Sequence, residues 1–369
     1  MTSVDEICNF RQVTPSVKFD APSESDLEQL HQRTPDIAYS SRIPRVPAPA
    51  SITTPHTGVT SRSTLRAVFV DADPTLGDVA QKLLGTIDIP FTINRHPDIR
   101  SEAIPVTLAG AGIAIIDHTQ FPTAIARQCT GLKHVVFLGT GARSYMSLEE
   151  LGELGIAVHT IKGYGDTAVA ECAVALMWTA ARGFAKMDRE MRAGNWVRSE
   201  SLQLTGRTIG LLGFGGIATE VARLALGMGM KVLAWNRSPK TFPGVQFVEL
   251  DRLLAESDVL SMHLLLNEDT KNFLSRERIA AMRPGAILIN TARGALVDED
   301  AMVDALRSGH LRHAGLDVFT VEPLPAGHVL TSLPNVTLSA HSAFRTAEAN
   351  HNLIGAALDH CRRIAAQGR

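Results

Sequence analysis

Short apolar runs alternate with longer mixed segments along most of the chain from Leu65 onward. The first runs are LRAVFVDAD, GAGIAIID, KHVVFLGTG and, near residues 155–161, GIAVHTI. Short β-rich runs separated by segments long enough for helices indicate strands joined by helical crossovers. The pattern therefore predicts a first parallel α/β sheet.

A second series of apolar runs follows a segment that is apolar on nearly every side of a helix. This segment, TAVAECAVALMWTAARGF from residue 167, predicts a helix buried between two bodies. Six strand candidates come after it: RTIGLLGFG, MKVLAWN, FVEL, SDVLSMH, AILINTA and HAGLDVF. The run NVTLSAH follows these six. This alternation is typical of a Rossmann domain. The last segment, from about Thr346 to Ala366, has helical spacing and is expected to pack back against the first domain.

The predicted fold class is α/β, with two Rossmann-like domains and an N-terminal arm. A chain of 369 residues exceeds the usual size of a single core. We expect a Rossmann domain, residues 163–342, to be inserted in a flavodoxin-like domain made of residues 64–162 and 343–369. Residues 1–63 are rich in Pro, Ser and Thr, which predicts an arm or a disordered segment without a core of its own.

Composition and charge narrow the possible partners. With 45% hydrophobic residues, 20% charged residues and a formal net charge of −2, the chain lacks the basic surface that nucleic acid requires. The start, MTSVDEICNF, has no basic region followed by an apolar one, and no apolar stretch reaches the length of a membrane span. The 4 cysteines and 13 histidines are scattered without zinc-ligand spacing. We therefore expect a cytoplasmic protein without a metal, a nucleic-acid partner or a membrane anchor.

A glycine-rich turn joins one predicted strand to one predicted helix. The strand TIGLL runs directly into Gly213, Phe214, Gly215, Gly216 and Ile217, and the helix follows. The first glycine permits a tight turn, the second removes a side chain where a pyrophosphate approaches, and the helix N-terminus offers amides and a positive dipole. Such a turn can also simply join a strand to a helix, but the complete βαβ context favours a dinucleotide site.

The end of the next strand bears on the choice of cofactor. Asn236, Arg237 and Ser238 stand where an NAD enzyme normally offers a carboxylate to the ribose hydroxyls. Asn236 can still bind ribose, whereas Arg237, Ser238 and Lys240 could hold a 2′-phosphate. The alternative is a solvated turn. The sequence predicts that NADP is preferred and that NAD is the other possible cofactor.

Five motifs resemble the D-isomer-specific 2-hydroxyacid dehydrogenase family, in the order GFGGIATEVA, SDVLSMHLLL, MRPGAILINTARGALVDEDAM, AGLDVFTVEP and LPNVTLSAH. The resemblance covers roughly Leu65 to the C-terminus. It implies Arg293 as the substrate-binding arginine, Glu322 as the carboxylate behind the histidine, and His341 as the acid/base. It also implies a homodimer and a small 2-keto or 2-hydroxy acid as the substrate.

The three residue types suit hydride chemistry without the family name. Reduction of a ketone requires a proton for the developing alkoxide, which a protonated imidazole can supply. A carboxylate on the other ring nitrogen orients the imidazole and stabilises its cation. An arginine positions and polarises the substrate, while the cofactor provides the hydride. Taken singly, Arg293 could be a surface residue, Glu322 a turn residue and His341 a buried structural residue. Because each of the three lies in a loop at the end of a predicted strand, where ligands of such sheets bind, the three together favour a catalytic site.

The resemblance also implies further site residues. Thr291 and Ala292 would border the cofactor, and His263 would flank it through its backbone. Asp317 would lie near the nicotinamide carboxamide, although it could instead be satisfied by backbone amides. Asp298 is better interpreted as a helix N-cap. A loop in the first domain consists of Gly139, Thr140 and Gly141. Its backbone amides would hold the substrate carboxylate, or the loop is only a tight turn.

Four positions depart from the family pattern. Arg143 and Met146 replace acidic residues, Leu265 stands where a proline is common, and Ala340 replaces the proline before the histidine. Arg143 could bind a second substrate charge, but a salt bridge is the slightly favoured interpretation. These departures leave the catalytic groups intact, while they weaken any transfer of one member's substrate to this chain.

Three functions are compatible with these motifs. The first is reduction of a small 2-ketoacid to the D-2-hydroxyacid, or the reverse, and the intact acid, carboxylate and arginine favour it. The second is a nucleotide-sensing scaffold, because the family includes corepressors that use the fold for protein recognition. Oxidation of formate or phosphite is a third, weaker hypothesis.

Overall fold

Two parallel β-sheets organise residues 65–86 and 89–367, which the computed structural model describes. All of these residues belong to one compact unit, Ser61–Arg369. The predicted N-terminal extension, residues 1–63, lies outside the described residues, as does its border at 64.

The first sheet has five strands in the order β2-β1-β3-β4-β5, and all of its pairs are parallel. Its strands are β1 (Ala67–Phe69), β2 (Phe91–Ile93), β3 (Ile113–Ile116), β4 (His134–Phe137) and β5 (Ala157–Thr160). The second sheet has seven parallel strands in the order β12-β11-β10-β9-β6-β7-β8. Its strands are β6 (Thr208–Leu212), β7 (Lys231–Trp235), β8 (Val245–Phe247), β9 (Val259–Met262), β10 (Ala286–Asn290), β11 (Leu311–Leu316) and β12 (Val336–Leu338).

Eleven α-helices accompany these strands within the described residues. They are α1 (Pro74–Leu83), α2 (Ile104–Thr107), α3 (Thr123–Ala126), α4 (Leu148–Glu153), α5 (Asp166–Arg182), α6 (Phe184–Arg192), α7 (Gly216–Gly227), α8 (Leu250–Glu256), α9 (Arg276–Ala280), α10 (Glu299–Ser308) and α11 (Ala347–Gln367). The expected α/β class with two Rossmann-like sheets is confirmed.

The strand order of the second sheet defines where a ligand can bind. From β6 the chain builds β7 and β8 on one side, and then returns to place β9 on the other side. The loops after β6 and β9 therefore diverge at the carboxyl edge of the sheet, which is the usual ligand crevice of open α/β folds. The fingerprint glycines begin directly after β6.

Continuous apolar strands explain why the sheets are covered on both faces. All five residues of β10, AILIN, are buried, and β3, IAII, is buried throughout. Full burial of a Leu or Ile side chain contributes about 1.5–3 kcal/mol to stability, so such strands require helices on both sides.

Helix α5 differs from its sequence-based prediction. It packs against α7 and strands β10 and β11 and buries one face, whereas Glu171 and Ala175 on the other face are exposed. The expected burial on nearly every side is therefore wrong within this chain. Among the described residues no single helix is long and apolar enough to span a membrane, although α5 and α6 taken together, bent by 65°, satisfy that length and composition.

The C-terminal helix returns the chain to the first sheet. Helix α11 packs against α1 and β4, and its apolar side chains, including Leu353, Leu358 and Ile364, join the core around Phe69. Two connections therefore link the sheets, one before α5 and one before α11.

Candidate active site

A histidine and a carboxylate form a direct pair at the carboxyl edge of the second sheet. His341 follows β12 and Glu322 follows β11, and the distance between His341 Nδ1 and Glu322 Oε2 is 2.6 Å. Because an ionised carboxylate only accepts hydrogen bonds, Nδ1 carries the proton and Nε2 is left for another partner. About a third of each side chain is exposed, 30% and 32%.

The second carboxylate oxygen of Glu322 is fixed as well. It accepts a hydrogen bond of 2.8 Å from the backbone N–H of Phe319. Partial burial alone would raise the pKa of Glu322, but the hydrogen bonds from His341 and Phe319 outweigh it and lower the pKa below its ordinary value. Glu322 is therefore held as an anion behind the imidazole.

Asp317 holds the histidine loop. Its carboxylate is completely buried and accepts hydrogen bonds from Ser342 N, Ala343 N and Ser339 Oγ at 3.0, 2.9 and 2.6 Å. Its backbone carbonyl accepts the N–H of His341 at 2.7 Å, and His341 has a left-handed φ of 47°. These contacts match the interpretation in which backbone amides satisfy the carboxylate of Asp317. Through them, Asp317 positions the loop that carries His341.

Arg293 lies where the loops of the two sheets meet. It follows β10, its Nη1 donates to the carbonyl of Ala292 at 2.6 Å, and its Nη2 lies so close to Gly141 that a Cβ there would overlap it. A Cβ on Gly294 would overlap the backbone of Phe319, so the arginine loop also packs directly on the glutamate loop. Arg293, Glu322 and the glycine loop of the first sheet are thus brought together.

The loop of Gly139, Thr140 and Gly141 presents free backbone amides. Gly139 has a φ of 145°, and its own N–H bonds to the carbonyl of Phe137. Within the described part of the chain, no acceptor bonds to the N–H groups of Thr140 or Gly141. Two free amides beside a guanidinium form a site for an anionic group such as a carboxylate.

Two tyrosines beside this loop were missed by the sequence interpretation. The hydroxyl of Tyr164 lies 3.8 Å from the position of a Cβ on Gly139, and the ring of Tyr145 packs on Phe137 with centroids 5.2 Å apart. Burial raises the pKa of Tyr164 to about 12, so it stays a neutral hydroxyl. Tyr145 lies in the segment after β4 and Tyr164 in the loop after β5, and this placement at strand ends is the sequence signal that could have identified them.

The glycine turn after β6 has the geometry of a dinucleotide cradle. Gly213 has a φ of 93°, and a Cβ there would lie 2.6 Å from the carbonyl oxygen of His263. Nothing lies within 4 Å of a Cβ position on Gly215, which caps α7 without any side-chain hydrogen bond. An open approach at a helix N-terminus is what a pyrophosphate requires, so Gly213, Phe214, Gly215, Gly216 and Ile217 fit a dinucleotide.

The end of β7 is used differently from the expectation for Asn236. Its Oδ1 accepts the N–H of Phe214 at 3.1 Å and its Nδ2 donates to the carbonyl of Ser238 at 2.8 Å. Lys240 Nζ donates to the carbonyl of Phe214 at 2.6 Å. Asn236 and Lys240 therefore hold the glycine turn, whereas Arg237 and Ser238 are exposed.

The remaining predicted cofactor residues border the same edge. His263 donates its N–H to Leu212 at 2.8 Å, and burial lowers the pKa of its imidazole to about 4, so the ring is neutral. Among the described residues, His263 Nε2 and Thr291 Oγ1 are buried without a hydrogen-bond partner. Ala292 is half-buried and follows β10 directly. His263 follows β9, and Thr291 and Ala292 follow β10, so all three lie at the carboxyl edge of the second sheet.

Two open sequence interpretations are decided by side-chain contacts. Arg143 makes two hydrogen bonds of 2.9 and 2.7 Å to the exposed carboxylate of Glu149, so the salt-bridge interpretation is confirmed. Asp298 accepts the N–H of Ala301 at the start of α10, as expected for an N-cap. Within the described residues, no group of His, Cys, Asp and Glu has the arrangement of a metal site.

Comparisons with known proteins agree with this geometry. The family model described as "D-isomer specific 2-hydroxyacid dehydrogenase, NAD binding domain" matches residues 174–343. A hydroxypyruvate reductase of Thermotoga maritima is 40% identical over 287 residues, which are 76% of this chain and 92% of that protein.

Solved structures show the same fold. The TT0316 protein from Thermus thermophilus is 34% identical with a TM-score of 0.75, covering 83% of this chain and 98% of that one. An acyclic imino acid reductase in complex with NADPH and D-Arg is 28% identical with a TM-score of 0.74, covering 82% and 98%. The chain belongs to the D-isomer-specific 2-hydroxyacid dehydrogenase family of oxidoreductases.

Proposed function

We propose that this protein reduces a small 2-ketoacid to the D-2-hydroxyacid, or catalyses the reverse reaction, with a nicotinamide dinucleotide as hydride donor or acceptor. The observation that carries the proposal is the His341–Glu322 pair near an arginine that packs against Gly141 of the glycine loop. The relative from Thermotoga maritima is named a hydroxypyruvate reductase, and a ketoacid of that size is the first substrate to test.

His341 and Glu322 would move the proton of the reaction. With Nδ1 held by Glu322, the Nε2 of a protonated imidazole can donate to the ketone oxygen as negative charge develops there. Glu322 keeps this geometry and stabilises the imidazolium, since both of its oxygens are occupied. In the oxidative direction, neutral Nε2 accepts the hydroxyl proton. The bound dinucleotide supplies the hydride chemistry.

Arg293 and the glycine loop would hold the substrate carboxylate. The N–H groups of Thr140 and Gly141 are free, and Arg293 Nη2 lies directly over Gly141. Together they can bind one planar anion and place the adjacent ketone between Arg293 and His341. A substrate held in this way would rest on the body of the first sheet. We therefore propose that residues 64–162 and 343–369 form the substrate domain and residues 163–342 the cofactor domain.

We propose NADP as the preferred cofactor and NAD as the alternative. Arg237 and Ser238 are exposed at the end of β7, where no carboxylate stands to repel a 2′-phosphate. The acyclic imino acid reductase of similar structure was solved with NADPH. Asn236 contributes by holding Phe214, and Thr291, Ala292 and His263 border the nicotinamide end; Asp317 acts through the histidine loop.

We further propose a homodimer formed through the cofactor domain. Helix α6 buries none of its residues within the chain, and Phe184 and Met191 on it are 50% and 51% exposed. Trp196, shortly after the helix, is 76% exposed. An apolar surface of this kind favours a protein contact. Light scattering tests the proposed homodimer, and a monomeric mass would contradict it. The cytoplasmic location of the protein stays a prediction.

Oxidation of NADPH or NADH with a panel of 2-ketoacids tests the proposed function. Saturable turnover with at least one small 2-ketoacid, giving the D-hydroxyacid, would support it. Cofactor binding without turnover across the panel would contradict it and favour a nucleotide-sensing scaffold.

A further inference from the structure

A carboxylate lies against the start of the helix that follows the glycine turn. Asp166 is the first residue of α5, and this helix begins directly after the connection from the first sheet. Its Oδ2 lies so close to Gly216, the first residue of α7, that a Cβ on this glycine would overlap it. Helices α5 and α7 pack along each other, so the contact belongs to the body of the cofactor domain.

This carboxylate has little to stabilise its charge. Among the described residues, no hydrogen-bond donor and no cation pairs with the side chain of Asp166. The ionisable groups within electrostatic reach are Glu220 on α7 and Tyr164 on the loop before α5. Glu220 is itself paired with Arg223 at 2.9 Å. Burial and the charge of Glu220 both raise the pKa of Asp166 above its ordinary value.

The N-terminus of α7 explains why an anion rests there. The free N–H groups and the dipole of a helix N-terminus attract a negative charge, and α7 has twelve residues and no side-chain cap. The pyrophosphate of a dinucleotide would approach the same amides through the open space at Gly215. Asp166 and the pyrophosphate would then compete for one positive helix end, and two like charges would repel each other.

We propose that Asp166 couples dinucleotide binding to proton uptake. When the carboxylate is charged, it opposes the pyrophosphate at Gly216. When it is protonated, it can donate a hydrogen bond to a phosphate oxygen. Binding therefore tightens as the pH falls, and Asp166 acts as a positioning residue that determines cofactor affinity. The inference rests on the dinucleotide site of the proposed function.

Binding of NADPH to the full chain, without any ketoacid, tests this inference. We compare wild type and Asp166→Asn by cofactor fluorescence from mildly acidic to mildly alkaline pH. The variant should bind NADPH roughly tenfold or more tightly at alkaline pH, because one close like-charge repulsion is removed. Its affinity should also lose most of the pH dependence that wild type shows.

Calorimetry in buffers with different ionisation enthalpies gives a second readout. Wild type should take up part of a proton on binding NADPH, and Asp166→Asn should take up less. The matched control is Asp304→Asn on α10, whose carboxylate pairs with Arg276 on the surface and should change neither result. Asp166→Ser serves as a second variant if the amide is poorly tolerated at the helix start.

A merely structural role predicts a different pattern. If Asp166 only caps α7, Asp166→Asn lowers the melting temperature, and it leaves proton uptake and the pH profile of binding unchanged; that result would overturn the inference. Weaker binding by both variants would overturn it too. Proton-coupled NADPH binding without turnover of any ketoacid would refute the proposed function and leave this inference standing.

Discussion

The loops after β11 and β12 and the loop after β7 both carry residues of the proposed site, but the chain holds them in different ways. At the first, both oxygens of Glu322 and all the described partners of Asp317 are backbone or side-chain groups of the protein itself. At the second, Asn236 and Lys240 hold the glycine turn, while the side chains of Arg237 and Ser238 are exposed.

This difference matches the two roles proposed for these loops, proton transfer for the loops after β11 and β12 and cofactor choice for the loop after β7. Proton transfer requires a ring nitrogen at a defined place, and the network of hydrogen bonds around Glu322 and Asp317 provides that rigidity. Recognition of a 2′-phosphate requires only that a cation can reach it, so an exposed arginine suffices. Substitutions at the first region should therefore change turnover strongly, and substitutions at the second should change mainly the ratio between cofactors.

The largest effect is expected for His341→Asn. Removal of the proton donor should lower kcat/KM for ketoacid reduction by about 10²–10⁴-fold, while NADPH binding changes little. Steady-state kinetics and cofactor titration measure the two quantities. The control is His351→Asn, at an exposed position of α11. Near-normal turnover of His341→Asn would remove this residue from the mechanism.

A smaller effect is expected for Asp317→Asn, which leaves the reacting groups in place. The amide can accept only at one oxygen, so a buried N–H in the histidine loop loses its partner. We expect a loss of about 1–3 kcal/mol in the free energy of unfolding and a loss of turnover of roughly tenfold to a hundredfold. Denaturant unfolding and kcat measure both. Unchanged kcat in the folded variant would show that the loop does not position His341.

Glu322→Gln should act mainly through pH. The charge that supports the imidazolium is removed, so the pH profile of ketoacid reduction should move to lower pH by roughly one unit. Because the pKa of Glu322 is depressed in the folded chain, its stabilising contribution is present above the unfolded value and is lost as the pH falls through the folded value. An unmoved pH profile would exclude this role.

The smallest effect is expected for Arg237→Ala. The ratio of kcat/KM for NADPH to that for NADH should fall roughly tenfold, because a charged hydrogen bond to the 2′-phosphate is lost. Turnover with NADH and the melting temperature should stay unchanged, since Arg237 is exposed. Arg237→Lys is the control that keeps the charge. A wild-type preference for NADH would mean that the missing carboxylate at the end of β7 was misinterpreted.

Asn236→Asp is a less specific test of cofactor choice than a substitution of Arg237. Asn236→Asp would restore an acid for ribose, but Asn236 Nδ2 donates to the carbonyl of Ser238, and a carboxylate oxygen there would face that carbonyl. This substitution should therefore loosen the glycine turn besides changing the cofactor preference. A test of cofactor choice is cleaner at Arg237 alone.

Local patterns in the sequence were sufficient for the elements and for several caps. Continuous apolar runs predicted the buried strands, and the glycines after TIGLL predicted the turn at Gly213, because a left-handed φ and a close approach exclude a side chain. Asp298 was predicted as an N-cap from its place before α10. Each of these signals depends on neighbours within a few residues, so the chain alone contains it.

The tertiary structure decided which distant groups touch. Asp166 lies on Gly216, and Arg293 lies on Gly141, although each pair is far apart along the chain. Asn236 was expected to face a ribose, yet it holds the turn at Phe214. Such contacts depend on how helices and strand ends pack, and periodicity carries no information about them. By itself, the sequence determined the two-sheet fold and the family, and it predicted Arg293, Glu322 and His341 as the catalytic groups. Only packing decided which neighbours position these residues, because burial and charge act through space rather than along the chain.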